Sequence, residues 1–262
     1  MQPTLSKNID DNGIDMPVLM YHHLSKSQKR LGDYVISPEQ FEQDLLHIKN
    51  NGYETISSTQ LLNFVENAVE LPKKPIMITF DDGYESVFEY AFPLLKKYEM
   101  KAVFLPIGKH TDIFSNKNEP RHINYSHASW EQICEMQKSS LIEIGNHTYN
   151  MHDNISGKRK GIRIKRGESL EDYEKALQQD INEFQSQILK ETGKKPIIFA
   201  YPFGASCKES EDILQNFGFK IILTCQEKVN RIYPKKNTPI YLNRFNRAHH
   251  YSTYEFFNKI KA

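Results

Sequence analysis

A chain of 262 residues with 39% hydrophobic and 26% charged residues can bury one large α/β core or two small ones. Its formal net charge of +1 excludes nucleic acid as the main partner, because phosphate binding shows as a strong basic excess. No window approaches the ~20 apolar residues of a membrane-spanning helix, and the three cysteines, Cys134, Cys207 and Cys225, are too few and odd in number for a disulfide framework, so buried free thiols are expected.

Residues 1–15 are polar and lack an apolar signal core, so they read as a tail or stalk ahead of a single domain over 16–262. A short buried strand is predicted at 16–21. Ser37-Pro38-Glu39-Gln40 marks a helix start, with Ser37 as N-cap, Pro38 at the first helical position and Gln40 closing a capping box. Phe41, Leu45 and Ile48 give that helix its apolar face, Asn51-Gly52 ends it, and a strand follows at 53–56. Ser57 and Gln60 cap a second helix running through Val65. The strand at 75–80 delivers Asp81 and Asp82 and is followed by a helix over 85–98 and a strand over 101–106. Residues 108–128 are polar and without periodicity, a loop carrying His110, His122 and His127. Ser129 and Gln132 cap a short helix, and a strand at 141–144 runs into Asn146 to His152.

A second loop spans 153–168, and six of its nine residues from Lys158 to Arg166 are basic. The plain reading is a solvated surface; contact with an anionic cell-surface polymer is the sharper one. Ser169 and Asp172 open a long helix with Tyr173, Leu177, Ile181, Phe184 and Ile188 at helical spacing, and Gly193 ends it. Strands at 195–201, 219–224 and 239–245 and helices at 209–217 and 253–260 complete the chain. Strands alternating with helices imply a mainly parallel sheet. The polar motifs all follow strand C-terminal ends, the face on which a β/α barrel builds its chemistry.

Two segments carry most of that chemistry. Asp81-Asp82-Gly83 places adjacent carboxylates at a strand end, where their repulsion must be offset, and a cation bound by one of them would do so. His147 and His152 stand five residues apart, a spacing that a regular helix does not align, so a loop must bring both to one ion. One carboxylate and two imidazoles suit a divalent metal with open positions, which leaves the second carboxylate free as a general base. Each group alone has a plainer reading: Asp-Gly is a common turn, and loop histidines are more often surface residues than ligands. Of His22 and His23, which face opposite sides of an extended strand, at most one enters a site, and His22 directly follows the apolar run. Tyr201-Pro202-Phe203-Gly204 reads as a rigid turn, ordinary or with a backbone N–H turned toward the pocket as an oxyanion donor.

These motifs, in this order from about Pro17 to Phe257, resemble the polysaccharide deacetylase family, carbohydrate esterase family 4, whose domain is also called the NodB homology domain. Thr79-Phe80-Asp81-Asp82-Gly83 is similar to its first motif, which implies Asp81 as base and Asp82 as metal ligand. Asn146-His147-Thr148 through His152 resembles its histidine motif, which implies His147 and His152 as the other ligands. The wide histidine spacing, Leu19-Met20-Tyr21-His22, Ser37-Pro38-Glu39-Gln40-Phe41 and Asn51-Gly52-Tyr53 look like the branch that deacetylates poly-N-acetylglucosamine in biofilms. That branch carries its catalytic acid near the N-terminus, which implies His22. Ala200 stands where the family has Arg before Pro-Pro-Tyr-Gly, and Phe203 replaces the Tyr, so the partner of the base must come from Arg244, from Arg247, or be absent. The usual C-terminal Leu-x-x-His motif is not evident, and His249 and His250 are the competing acids.

The resemblance implies an α/β fold built as a distorted (β/α) barrel of about seven strands. It implies a metal-dependent hydrolase that removes N-acetyl groups from N-acetylglucosamine units of an extracellular polysaccharide. The cofactor would be a divalent metal, zinc first, with nickel or cobalt acceptable to the same donors. Tyr201, Pro202 and Phe203 would border the oxyanion. Peptidoglycan and acetylxylan deacetylation are the alternatives, and a degenerate carbohydrate-binding module the remote one. A polymer substrate implies a secreted or cell-surface protein, with the signal or anchor missing from residues 1–15 and a possible surface association through it.

Overall fold

In the computed structural model, which describes residues 12–155 and 159–261, four helices start where the side-chain caps put them. Ser37, Ser57 and Ser129 each form a full capping box with the glutamine three residues on, and the Ser169 hydroxyl accepts from the Asp172 amide. The tail reading for residues 1–11, and Lys158 of the basic run, lie outside the described residues.

The strands are short and apolar, as parallel strands covered on both faces must be. Val18–Tyr21 and Pro75–Phe80 are buried at every position. In one sheet the order is Phe245–Asn246, Val18–Tyr21, Pro75–Phe80, Ala102–Phe104, Ile142–Ile144, with Glu54–Thr55 also on Pro75–Phe80. A second sheet runs Ile240–Leu242, Ile221–Leu223, Ile198–Ala200. Every pairing within these two sheets is parallel. A parallel bridge between Asn146 and Phe199 links them on one side, and the 240–246 segment belongs to both on the other. The result is an α/β fold with parallel sheets, and every catalytic candidate at a strand end faces the same way.

The helices bury their apolar stripes against these sheets. Pro38–Asn50 buries Phe41, Leu45 and Ile48; Leu170–Thr192 buries Tyr173, Leu177, Ile181, Phe184 and Ile188. Each stripe also takes in one aspartate, Asp44 and Asp180 respectively.

Five expectations are corrected. The 108–128 loop contains a helix, Gly108–Ser115. It starts without a side-chain cap, and the first amides, of Gly108 and Lys109, donate instead to the carbonyls of Thr148 and Tyr149. The helix expected over 85–98 begins as a π-helical turn, Val87–Ala91, before the α-helix Phe92–Tyr98. The strand expected over 239–245 is two strands, Ile240–Leu242 and Phe245–Asn246, interrupted where Arg244 enters the core. The three cysteines are unbridged, as expected, but half-buried rather than buried. A further antiparallel pair, Ile14–Met16 with Asn230–Ile232, begins inside the segment read as tail.

Candidate active site

Strand register assembles the site. Tyr21 pairs with Phe80, so His22 and Asp81 leave adjacent strands side by side. Phe80 pairs with Phe104 and Phe104 with Ile144, which brings the histidine segment to the same face. The Asn146–Phe199 bridge then places the 201–204 turn next to it. These ends border a cavity of about 530 Å³ whose walls include His22, Asp81, Asp82, His147, His152 and Phe203.

The two aspartates are turned apart by the backbone. Asp82 sits at φ 68°, in the left-handed region that Asp tolerates better than most residues, and Gly83 follows at φ 80°. A Cβ on Gly83 would lie 2.7 Å from the Pro106 Cα, so only glycine fits this turn. Asp81 faces Arg244, whose Nη1 donates to Oδ1 at 2.6 Å and Nη2 to Oδ2 at 2.8 Å. Arg244 is fully buried and also donates to Thr79 Oγ1 at 3.2 Å and the Thr224 carbonyl at 2.9 Å. Burial pushes the Asp81 carboxyl up, but Arg244 outweighs it and holds the group below its usual range. Arg247 is committed elsewhere, to Asp44 at 2.7 Å, so Arg244 is the arginine that meets Asp81.

Asp82 faces the two histidines. Its Oδ1 lies 3.5 Å from His147 Nε2 and 3.2 Å from His152 Nε2. Asp82, His147 and His152 are the group among the described residues whose ligand atoms converge, all within 4.8 Å of one another. Burial pushes the Asp82 carboxyl up, but the adjoining His147 and His152 rings, with His22, outweigh it and hold the group well below its usual range. His147 Nδ1 donates to the Ala200 carbonyl at 2.9 Å, which fixes the tautomer and leaves Nε2 as the donor atom. One ionised carboxylate and two Nε2 atoms on one point fit a divalent ion of the zinc type, with open positions for water and substrate.

His22 lines the same cavity, its ring edge-on to Tyr34 at 4.8 Å, and its buried Nδ1 has no hydrogen-bond partner among the described residues. Burial pushes its pKa down and the Asp82 and Asp81 charges pull it back up. His23 points away, bonding Ser86 Oγ at 2.7 Å. Phe203 is at φ 58°, 42% exposed, with its ring 4.4 Å from that of His152. Tyr201 and Pro202 are buried beneath it and do not line the cavity. His249 bonds Gln40 Oε1 at 2.5 Å and His250 is exposed, and neither reaches the cavity.

Sequence reasoning missed Tyr34, Asn154, Lys160, Glu227 and Asn246, which line the cavity together with Met20 and Cys225. Lys160 comes from the basic run, whose Arg159 pairs with Glu168 and whose Arg163 bonds the Ser206 carbonyl, so the run is partly pinned to the fold. Asp180 was also missed. Its Oδ1 accepts from the Tyr149 amide at 2.8 Å and its Oδ2 from the Asn150 amide at 2.7 Å. A carboxylate within an apolar helical stripe is the sequence signal that marks it.

Parallel sheets with a convergent Asp-His-His group and a separate, arginine-paired aspartate define a hydrolase-type centre on an α/β scaffold. The polysaccharide deacetylase sequence profile matches residues 68–222, and the chain belongs to that family. The poly-beta-1,6-N-acetyl-D-glucosamine N-deacetylase of Escherichia coli (strain K12) is 26% identical over 196 residues, covering 68% of this chain and 29% of that protein. The protein of the same name from Staphylococcus aureus (strain MRSA252) is 27% identical over 211 residues, covering 80% of this chain and 67% of that protein. The chain thus spans under a third of the length of the E. coli relative. Among solved structures, IcaB from Ammonifex degensii superposes with a TM-score of 0.75 at 29% identity, over 90% of this chain and 93% of that one. The de-N-acetylase from Aggregatibacter actinomycetemcomitans gives 0.79 at 26% identity, over 94% and 100%.

Proposed function

We propose that this chain is a metal-dependent polysaccharide N-deacetylase, and that it releases acetate from N-acetylglucosamine units of a poly-β-1,6-linked extracellular polymer. The observation that carries the reading is one cavity lined by the Asp82, His147, His152 group, by His22 and by Asp81, which Arg244 pairs with from behind the cavity wall. The named activity of the relatives gives the substrate class. The residues from 16 to 262 act as one catalytic domain, and the two sheets act as one distorted barrel with its seam at 243–244. A polymer substrate of this kind puts the working enzyme outside the cell membrane.

Asp82, His147 and His152 would hold a divalent ion, zinc in the first place, which when bound would supply Lewis acidity toward the acetyl carbonyl and ease deprotonation of water. Asp81 takes the proton of the attacking water. Its Arg244 pair lowers its basicity but keeps it ionised and fixed in direction, which a general base needs before it needs strength. The Phe203 backbone N–H stabilises the tetrahedral oxyanion from the side of the 201–204 turn, worth about 3 kcal/mol for one well-aimed donor. His22 protonates the departing amine. A lowered pKa makes its imidazolium a stronger donor though a less populated one, and the nearby carboxylates limit that loss without cancelling it.

The test is acetate release by zinc-loaded protein from poly-β-1,6-N-acetylglucosamine, acetylxylan and peptidoglycan in parallel. Acetate with a matching free amine from the first is expected. Release only from acetylxylan or peptidoglycan would move the substrate within the family. Glycan binding with no acetate from any of the three would make the chain a binding module.

A further inference from the structure

The histidine pair poses a geometric problem that its own loop does not solve. Residues five apart do not share a helix face, and Thr148 between them sits at φ 72°, where a β-branched residue is strained. Among the described residues, two short-range bonds brace the loop from within: the Thr148 amide to Asn146 Oδ1 at 2.7 Å and the Met151 amide to Thr148 Oγ1 at 3.2 Å. The amides of Tyr149 and Asn150 point out of the loop, toward the helix Leu170–Thr192.

We propose that Asp180 is a positioning residue for the metal centre: its carboxylate, resting on the metal-site reading above, clamps the Tyr149 and Asn150 amides and so sets the separation of His147 and His152. Three observations carry this. First, the clamp is bidentate, one carboxylate oxygen to each amide, at 2.8 and 2.7 Å, so it fixes the direction of two successive peptide planes. Second, Asp180 is only 8% exposed and lies in the stripe of Leu177, Ile181 and Phe184, where fold stability alone favours an apolar residue. No lysine or arginine forms an ion pair with it among the described residues, so the two amides are its visible compensation. Third, the loop is held rigidly on its other side. The Gly108 and Lys109 amides donate to the Thr148 and Tyr149 carbonyls, and the Tyr149 hydroxyl donates to Asp112 Oδ2 at 3.0 Å. Residues 148–150 are therefore gripped from two helices, while the ligands on either side carry the imidazoles inward.

Asp180→Asn keeps size and shape but turns an amide NH₂ toward one of the two backbone donors. The experiment is Zn²⁺ titration of the full chain against a chromophoric chelator, with the visible spectrum of the Co²⁺-loaded protein and the melting temperature of the metal-free protein measured alongside. Wild type should bind one ion. Asp180→Asn should weaken Zn²⁺ by about 10–100-fold, the usual effect of losing an outer-sphere partner, and should alter the Co²⁺ bands. Asp180→Glu, which restores a carboxylate, should recover part of the affinity and serves in place of Asp180→Asn if that variant does not fold. Affinity within twofold of wild type and an unchanged Co²⁺ spectrum would overturn the inference and leave the site reading standing. Failure of wild type to bind Zn²⁺ would overturn both. Failure of both variants to fold would also overturn it, because Asp180 would then be a folding residue rather than a positioning one.

Discussion

Two neighbouring aspartates with opposite neighbours should separate cleanly on mutation. Asp82→Asn and His147→Ala should lose the metal and activity together while keeping their circular dichroism. Asp81→Asn should keep the metal and lose rate by about 10²–10⁴-fold, the scale of a missing general base. Equal metal loss in Asp81→Asn, measured as metal per chain, would mean that the roles are divided wrongly. His22→Ala should impair amide hydrolysis far more than hydrolysis of an activated acetyl ester, whose leaving group departs without a proton. An equal loss on both substrates would remove His22 as the acid. Asp180 adds a pH effect whose sign is set by burial, which raises its carboxyl to about 6 against 3.8 when free; the Tyr149 and Asn150 amides and Arg159 oppose the rise. Between these values the folded state holds more protons than the unfolded state, so this residue's contribution to stability falls as pH rises toward about 6 and is level above it. The metal-free wild type should thus lose on the order of 2–3 kcal/mol relative to Asp180→Asn between pH 4 and pH 6.5. Parallel pH profiles of the two proteins in urea melts would contradict it.

At the scale of elements, the turn after Pro75–Phe80 is the tightest constraint. Gly83→Ala should cost about 1–3 kcal/mol through its clash with Pro106 and should loosen the metal, because Asp82 is the residue that turn aims. Wild-type melting temperature and metal content in that variant would show that the turn has room to give. The same elements explain what the sequence could and could not reveal. Capping boxes at Ser37, Ser57 and Ser129 are local chemistry, so those helix starts were readable to the residue. The Gly108–Ser115 helix was not, because its first amides find partners in a loop forty residues away rather than in a cap. Asp81, Asp82, His147 and His152 announce themselves by residue type and order, and three of them, Asp82, His147 and His152, lie close enough in the fold to hold one ion. Arg244 could be offered only beside Arg247, since nothing local distinguishes two arginines three apart; the break between two strands does. Asp44 and Asp180 are legible in principle, as charges inside apolar helical stripes, but each stripe reads as complete without them.

Across the whole molecule, the early and late parts of the chain are tied together beneath the site. Ile14–Met16 pairs with Asn230–Ile232, and Phe245–Asn246 pairs with Val18–Tyr21. Asp44 is the buried centre of this junction, accepting from Arg247 at 2.7 Å, Thr253 at 2.6 Å and the Tyr21 hydroxyl at 3.1 Å. Asp44→Ala would leave the Arg247 guanidinium buried and unpaired, and should cost about 3–5 kcal/mol in urea unfolding. A loss under about 1 kcal/mol would mean that water reaches the arginine. The seam also has a consequence in time. A ribosome makes Asp82, His147 and His152 well before Arg244, so a nascent chain would hold the three proposed ligand residues while Asp81 still lacked its counter-charge. On the roles proposed above, capture of the ion and onset of hydrolysis would be separable events, divided by the closing of one short strand against Leu19 and Met20. In refolding from denaturant with Zn²⁺ present, metal uptake should lead, and acetate release should rise only with protection of the Arg247 amide, which bonds the Met20 carbonyl at 3.0 Å.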